Sequence, residues 1–127
     1  MKMVSSYICL KDVCFHAFHG VMPQEREVGA DFLVSLRVGY DFSKAMRTDK
    51  VDDTLNYAEV FLLVKQEMER PSSLLEHVAG RIVETLVRHF PMVQSIDLTL
   101  TKKNPPMGAD CEGAGVELHF LERGYEE

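Results

Sequence analysis

Alternation dominates the first third of the chain and returns in the last. Between residues 30 and 42, Phe32, Val34, Leu36, Val38, Tyr40 and Phe42 share one parity, while Arg37, Gly39 and Asp41 share the other. A period of two over that length predicts a strand with one buried face. Residues 5–18 form its expected partner across a loop containing Pro23 and Gly29. The period then changes. Leu74, Leu75, Val78, Ala79, Ile82, Val83, Leu86, Val87 and Phe90 recur at helical spacing. Pro71 separates this helix from one before it, and Pro91 stops it. Ser73 with Glu76, and Asn56 with Glu59, have the spacing of capping boxes. Alternation resumes with Ile96, Leu98, Leu100 and Lys102, then with Val116, Leu118 and Phe120. The predicted order is strand, strand, helix, helix, strand, strand. Short connections favour antiparallel pairing, giving an α+β four-stranded sheet with both helices on one face. Its two open edges invite pairing with another subunit.

Composition narrows the function more than the fold. At 127 residues, with 46% hydrophobic and 27% charged positions, the expectation is one globular domain over residues 1–127. Such a chain has little volume to spare for a deep private cleft. The net charge of −6 and the scattered basic residues, with Lys102-Lys103 the one adjacent pair, argue against nucleic acid and against an anionic membrane surface. Cys9, Cys14 and Cys111 lack CxxC spacing, which fits a reducing compartment, and a cytoplasmic location is expected. The longest uninterrupted apolar run is Val60 to Val64, far short of a membrane span.

Among chemistry-bearing residues, Glu76 has two readings. It can be the glutamate of a capping box, or a carboxylate beside free N–H groups at a helix start. In the second role it could accept two parallel hydrogen bonds from an amidine-like edge, such as that of a guanine or pterin ring. Lys102 shares the parity of Ile96, Leu98 and Leu100 and points to the apolar face, whereas Lys103 points away. A lysine there can snorkel to water, or, partly buried, move protons. Tyr57 beside a helix start reads as packing, and Glu25 in a loop reads as a solvated charge. His16 and His19, three apart, would face opposite ways on a strand, and no HxH, HExxH, GxSxG or GxGxxG occurs. No metal or cofactor is expected.

These residues also carry a resemblance. Phe18-His19-Gly20 followed by Glu25 and Gly29, Arg47-Thr48-Asp49, Asp53-Thr54 with Tyr57 and Val60, Leu74-Leu75-Glu76-His77, and Thr101-Lys102 with Asn104-Pro105-Pro106 resemble dihydroneopterin aldolases. No one segment is specific alone; their order and spacing over roughly residues 5–122 are. The resemblance implies a tunnelling fold, with subunits closing into a tetrameric ring and two rings stacking into an octamer. It implies an active site between subunits and a retro-aldol reaction on 7,8-dihydroneopterin without Schiff base or metal. Carried over by position, Glu76 looks like the pterin anchor, helped by the Leu75 backbone and Thr54. Tyr57 looks like a neighbour's contribution, and Glu25 with Lys102 like the polar pair that handles protons. An epimerase of the same side chain and a non-catalytic pterin- or purine-binding ring remain as alternatives. His16 and Phe18 stand where relatives often carry tyrosines, and Gly124–Glu127 fall outside the pattern.

Overall fold

The computed structural model describes residues 1–122; the tail singled out above lies outside the described residues. The sheet order is β1 (Tyr7–Ala17), β2 (Ala30–Gly39), β3 (Ser95–Lys103), β4 (Gly113–Leu121), antiparallel throughout. Helices α3 (Tyr57–Met68) and α4 (Leu75–His89) supply the buried residues Val60, Val64 and Met68, and Val78, Ala79, Ile82 and Leu86. These pack with Phe32, Val34, Leu36, Val38, Ile96, Leu98 and Leu100 in one core, so the alternation of β2 and β3 has its physical cause.

Four local features depart from the sequence expectation. β2 ends at Gly39 rather than at residue 42, because Asp41 accepts a hydrogen bond from the Ser43 N–H at 3.0 Å and turns the chain into α2 (Ser43–Thr48). A second six-residue helix, α1 (Pro23–Val28), fills the expected loop between β1 and β2. β1 carries a bulge between Leu10 and Val13, where Asp12 adopts φ 49° and exchanges hydrogen bonds with Ser35 across the pair. Asn56 does cap α3, accepting from the Ala58 N–H at 2.9 Å. The Ser73 cap of α4 does not form: that helix starts at Leu75 behind Leu74, and Ser73 Oγ accepts from Arg26 instead.

A buried polar network joins α3 to α4. Glu67 is 8% exposed and receives Arg81 Nε on Oε1 at 3.2 Å and Thr85 Oγ1 on Oε2 at 2.9 Å. Arg81 also donates to the Glu67 carbonyl, the Arg70 carbonyl and Ser72 Oγ, at 2.7, 2.9 and 2.7 Å. The guanidinium therefore fixes the whole 67–72 turn. Removing one member of a satisfied buried pair strands the other charge, which typically costs 3–5 kcal/mol. Glu67→Gln is expected to lower the unfolding free energy by about 3 kcal/mol. Glu84→Gln, which breaks only the exposed pair with Arg88, should change it by less than about 1 kcal/mol. Denaturant unfolding at a fixed protein concentration measures both.

Candidate active site

The turn fixed by Arg81 reaches across to the loop after β1. The Ser72 N–H donates to His19 Nδ1 at 3.1 Å, and the Gly20 N–H donates back to the Ser72 carbonyl at 2.9 Å. His19 is 1% exposed and lies edge-on to Phe32, ring centroids 5.3 Å apart. Burial, and after it the Arg81 charge, push its pKa down to about 4. Since Nδ1 accepts a hydrogen bond, the neutral ring carries its proton on Nε2.

Gly20 in turn determines where Glu25 can go. A Cβ at position 20 would stand 2.6 Å from the Glu25 Cβ, Cδ and Oε1, so only glycine lets this side chain lie across the loop. Glu25 Oε1 accepts from the Met22 N–H at 3.1 Å, and Oε2 pairs with Lys102 Nζ. The lysine hydrogen bond, followed by that of Met22, holds the Glu25 carboxyl below its ordinary range. The other end of α1 is tied as well. Gly29, at φ 78°, has no room for a side chain against His16 and Phe18, and His16 bridges Asp31 Oδ1 (2.9 Å) and the Val28 carbonyl (3.2 Å). With an acceptor at each ring nitrogen, the Asp31 bond first, the His16 pKa is raised.

Lys102 stands between two hollows. One is lined by Met22, Glu25, Val28, Gly29, Asn104 and Pro106. The other, about 330 Å³, is lined by Leu75, Glu76, Pro105, Pro106, Gly115 and Val116. Lys102 is 8% exposed, so its parity was legible, but its ammonium is paired with Glu25 and does not snorkel freely to water. Glu76 is exposed at the second position of α4 and makes no hydrogen bond among the described residues. The first N–H groups of α4 have no side-chain cap, and Leu75 and Glu76 at that helix start both line the hollow.

Thr54 and Tyr57 belong elsewhere. Thr54 lines a separate hollow with Ile8, Phe42 and Met46. Ile8 pairs with Val38, which lies about 20 Å along β2 from Phe32, the strand partner of Lys102. Tyr57, 65% exposed, lines neither hollow around Lys102. Thr54 and Glu76 of one chain therefore line different hollows. The roles of His19, Ser72, Glu67 and Arg81 were not foreseen at all. The available signal was a histidine followed at once by glycine, a pair suited to a tight buried loop rather than to a strand. Among the described residues no three His, Cys, Asp or Glu side chains converge on a common point.

The FolB family model, described as dihydroneopterin aldolase, matches residues 8–119. A dihydroneopterin aldolase of Staphylococcus epidermidis is 36% identical over 116 residues, spanning 91% of this chain and 96% of the relative. The chain belongs to the dihydroneopterin aldolase family. Among solved structures, the FolB protein of Vibrio cholerae superposes with a TM-score of 0.86 at 24% identity, covering 94% of this chain and 100% of that one. Escherichia coli dihydroneopterin aldolase, solved in complex with neopterin, gives 0.83 at 22% identity, covering 91% and 98%. At these identities the two structures speak for the fold. The four-stranded sheet with its helix pair is the architecture of dihydroneopterin aldolases.

His19 makes stability pH-dependent. Its folded-state pKa lies below its unfolded value, so the unfolded chain binds more protons between the two. The stabilising effect of a neutral His19 is complete above about pH 6.5 and is lost as pH falls toward 4. We expect unfolding free energy to drop by about 3 kcal/mol over that window in the native protein. Most of this slope should vanish in His19→Asn, as read by denaturant titrations at several pH values.

Proposed function

We propose that this chain, as a single domain, is a lyase that cleaves the C1′–C2′ bond of 7,8-dihydroneopterin, giving 6-hydroxymethyl-7,8-dihydropterin and glycolaldehyde. One observation carries the reading: Lys102, buried and paired with Glu25, borders the hollow at whose rim Glu76 stands at the uncapped start of α4. Neopterin, held by the Escherichia coli relative, has the matching ring and side chain. The Glu76 carboxylate accepts from the amino and ring N–H edge, and the Leu75 backbone serves the neighbouring ring atoms. This places the side chain toward Lys102 and Glu25.

The chemistry then needs only proton transfers. A base removes the 2′-hydroxyl proton, C2′ becomes the aldehyde carbon, and the C1′–C2′ bond breaks. Its electron pair forms C1′=C6 while the C6=N5 pair moves to N5, which takes up a proton. Loss of that proton with protonation of C1′ restores the imine and gives the hydroxymethyl product. The ring is the electron sink, so Lys102 acts through its protons and not as a covalent partner. Lys102 donates toward N5 and orders a water, and Glu25, Tyr57 and water pass the remaining protons.

Tyr57 and Thr54, which line neither hollow beside Lys102 within one chain, reach it from a neighbouring subunit. This favours a ring of four, stacked as an octamer in the cytoplasm. The fit between the open edges of β1 and β4 and such a ring supports the assembly.

Purified protein incubated with 7,8-dihydroneopterin should release glycolaldehyde; epimer without aldehyde, or no reaction, overturns the assignment. In Lys102→Ala, pterin affinity should stay within about threefold while kcat falls about 10²- to 10⁴-fold. Turnover near the native level would remove Lys102 from its role.

Subunit sharing has its own test. Tyr57→Ala and Lys102→Ala proteins, each nearly inactive, should regain activity when unfolded together and reassembled, approaching about a quarter of native sites at equal mixing. A lack of any recovery in correctly sized oligomers, or full activity in a sedimenting monomer, would place the site within one chain.

A further inference from the structure

The residue that the proposed chemistry leaves unused is His19, and its surroundings are unusual. It is buried, its Nδ1 takes the Ser72 N–H, and its proton-bearing Nε2 makes no well-aligned hydrogen bond, the Met68 backbone being the acceptor that acts on the ring. A buried donor held only weakly adds little to stability. What the imidazole provides, and an apolar side chain lacks, is an acceptor pointing at Ser72.

That acceptor is one half of a reciprocal clamp. Ser72 N–H goes to His19 and Gly20 N–H returns to the Ser72 carbonyl, locking residues 19 and 20 against the turn that Arg81 holds. The Glu25 side chain rests directly on Gly20, so a displacement of the loop is a displacement of the carboxylate. His19 and Lys102 also share Phe32: the imidazole meets the ring edge-on at 5.3 Å, and Nζ lies 5.5 Å from its centroid. A charged group at position 19 would sit close beneath the ammonium, and the neutral ring avoids this.

We propose that His19 is a positioning residue for the reaction, its Nδ1 acceptor fixing Gly20 through Ser72 so that Glu25 meets Lys102. The inference rests on the lyase reading for its kinetic consequence but not for its structural one. Displacing a reacting group by about 1 Å can cost about 10²-fold in rate without weakening binding of the rest of the substrate.

His19→Leu removes the acceptor, and His19→Asn keeps one near the position of Nδ1. Gly20→Ala leaves His19 intact and pushes a methyl group into the Glu25 side chain. Each is compared with the native oligomer for kcat, KM, and the titration of the Glu25 carboxyl carbon by NMR in the absence of substrate. In His19→Leu and Gly20→Ala, kcat should fall about 10- to 100-fold with KM within about twofold. In both, Glu25 should titrate at a higher pH than in the native protein, because its hydrogen bond to Lys102 is loosened. His19→Asn should retain kcat within about threefold, together with the native Glu25 titration.

Native kcat and native Glu25 titration in His19→Leu would overturn the proposal. So would a loss of kcat with the Glu25 titration unmoved, because that marks a merely structural role. If His19→Leu fails to fold, Gly20→Ala decides on the same two readings. If the native protein releases no glycolaldehyde, the lyase reading fails, yet the Glu25 titration still tests the clamp.

Discussion

The end of the molecule that gathers Glu25 and Lys102 hangs on one guanidinium. Arg81 spends its donors on Glu67, Ser72 and two carbonyls of the turn between α3 and α4, and none of those acceptors is on the sheet. A buried charge needs this degree of satisfaction to be tolerated. Once satisfied, it converts a loop, the least determined kind of segment, into a fixed post. Ser72 on that post holds His19 and Gly20, Gly20 supports Glu25, and Glu25 holds Lys102 at the end of β3. The turn at Ser72, the loop at His19 and Gly20, the short helix bearing Glu25 and the end of β3 are thereby held to one another.

The sheet contributes by distance as much as by contact. Lys102, Glu25 and Glu76 gather where β2 begins, and Thr54 lies about 20 Å away where it ends. Helices of this length and a sheet of four strands cannot fold both groups onto one point. If both take part in the same chemistry, two chains must meet. The small volume of a 127-residue chain and the division of its polar residues between opposite ends are thus one constraint seen twice.

What could be read in the sequence follows from the length over which a pattern repeats. β2, β3 and α4 each repeat their period several times over, and the core they form was legible residue by residue. The parity of Lys102 was legible for the same reason. α1 and α2, six residues each, are shorter than two full helical turns and carry no buried residue, so no periodicity marks them. Glu25 looked like a solvated charge because its partner is 77 positions away. His19 was read beside His16 as part of a strand, but β1 ends at Ala17 and His19 turns into the interior. Thr54 was grouped with Glu76 because the motif order says which residues belong to a site, and not which chain provides each one.

The missing cap on α4 connects stability to function. Ser73-x-x-Glu76 has the spacing of a capping box, yet Ser73 is taken by Arg26 and Glu76 stays free. Leaving a helix start without a side-chain cap costs about 1 kcal/mol. The compensation lies further along the same helix, where Arg81 and Thr85 bind Glu67 in the interior. Anchoring the helix from its inner turns allows its first turn to stay open, with unpaired N–H groups and a bare carboxylate at the rim of a hollow. A fully capped α4 would be more stable in isolation and would leave no free carboxylate at the rim of that hollow. Local rules tend to be broken where a ligand completes them. Here the broken rule and the buried network that compensates for it lie on the same helix.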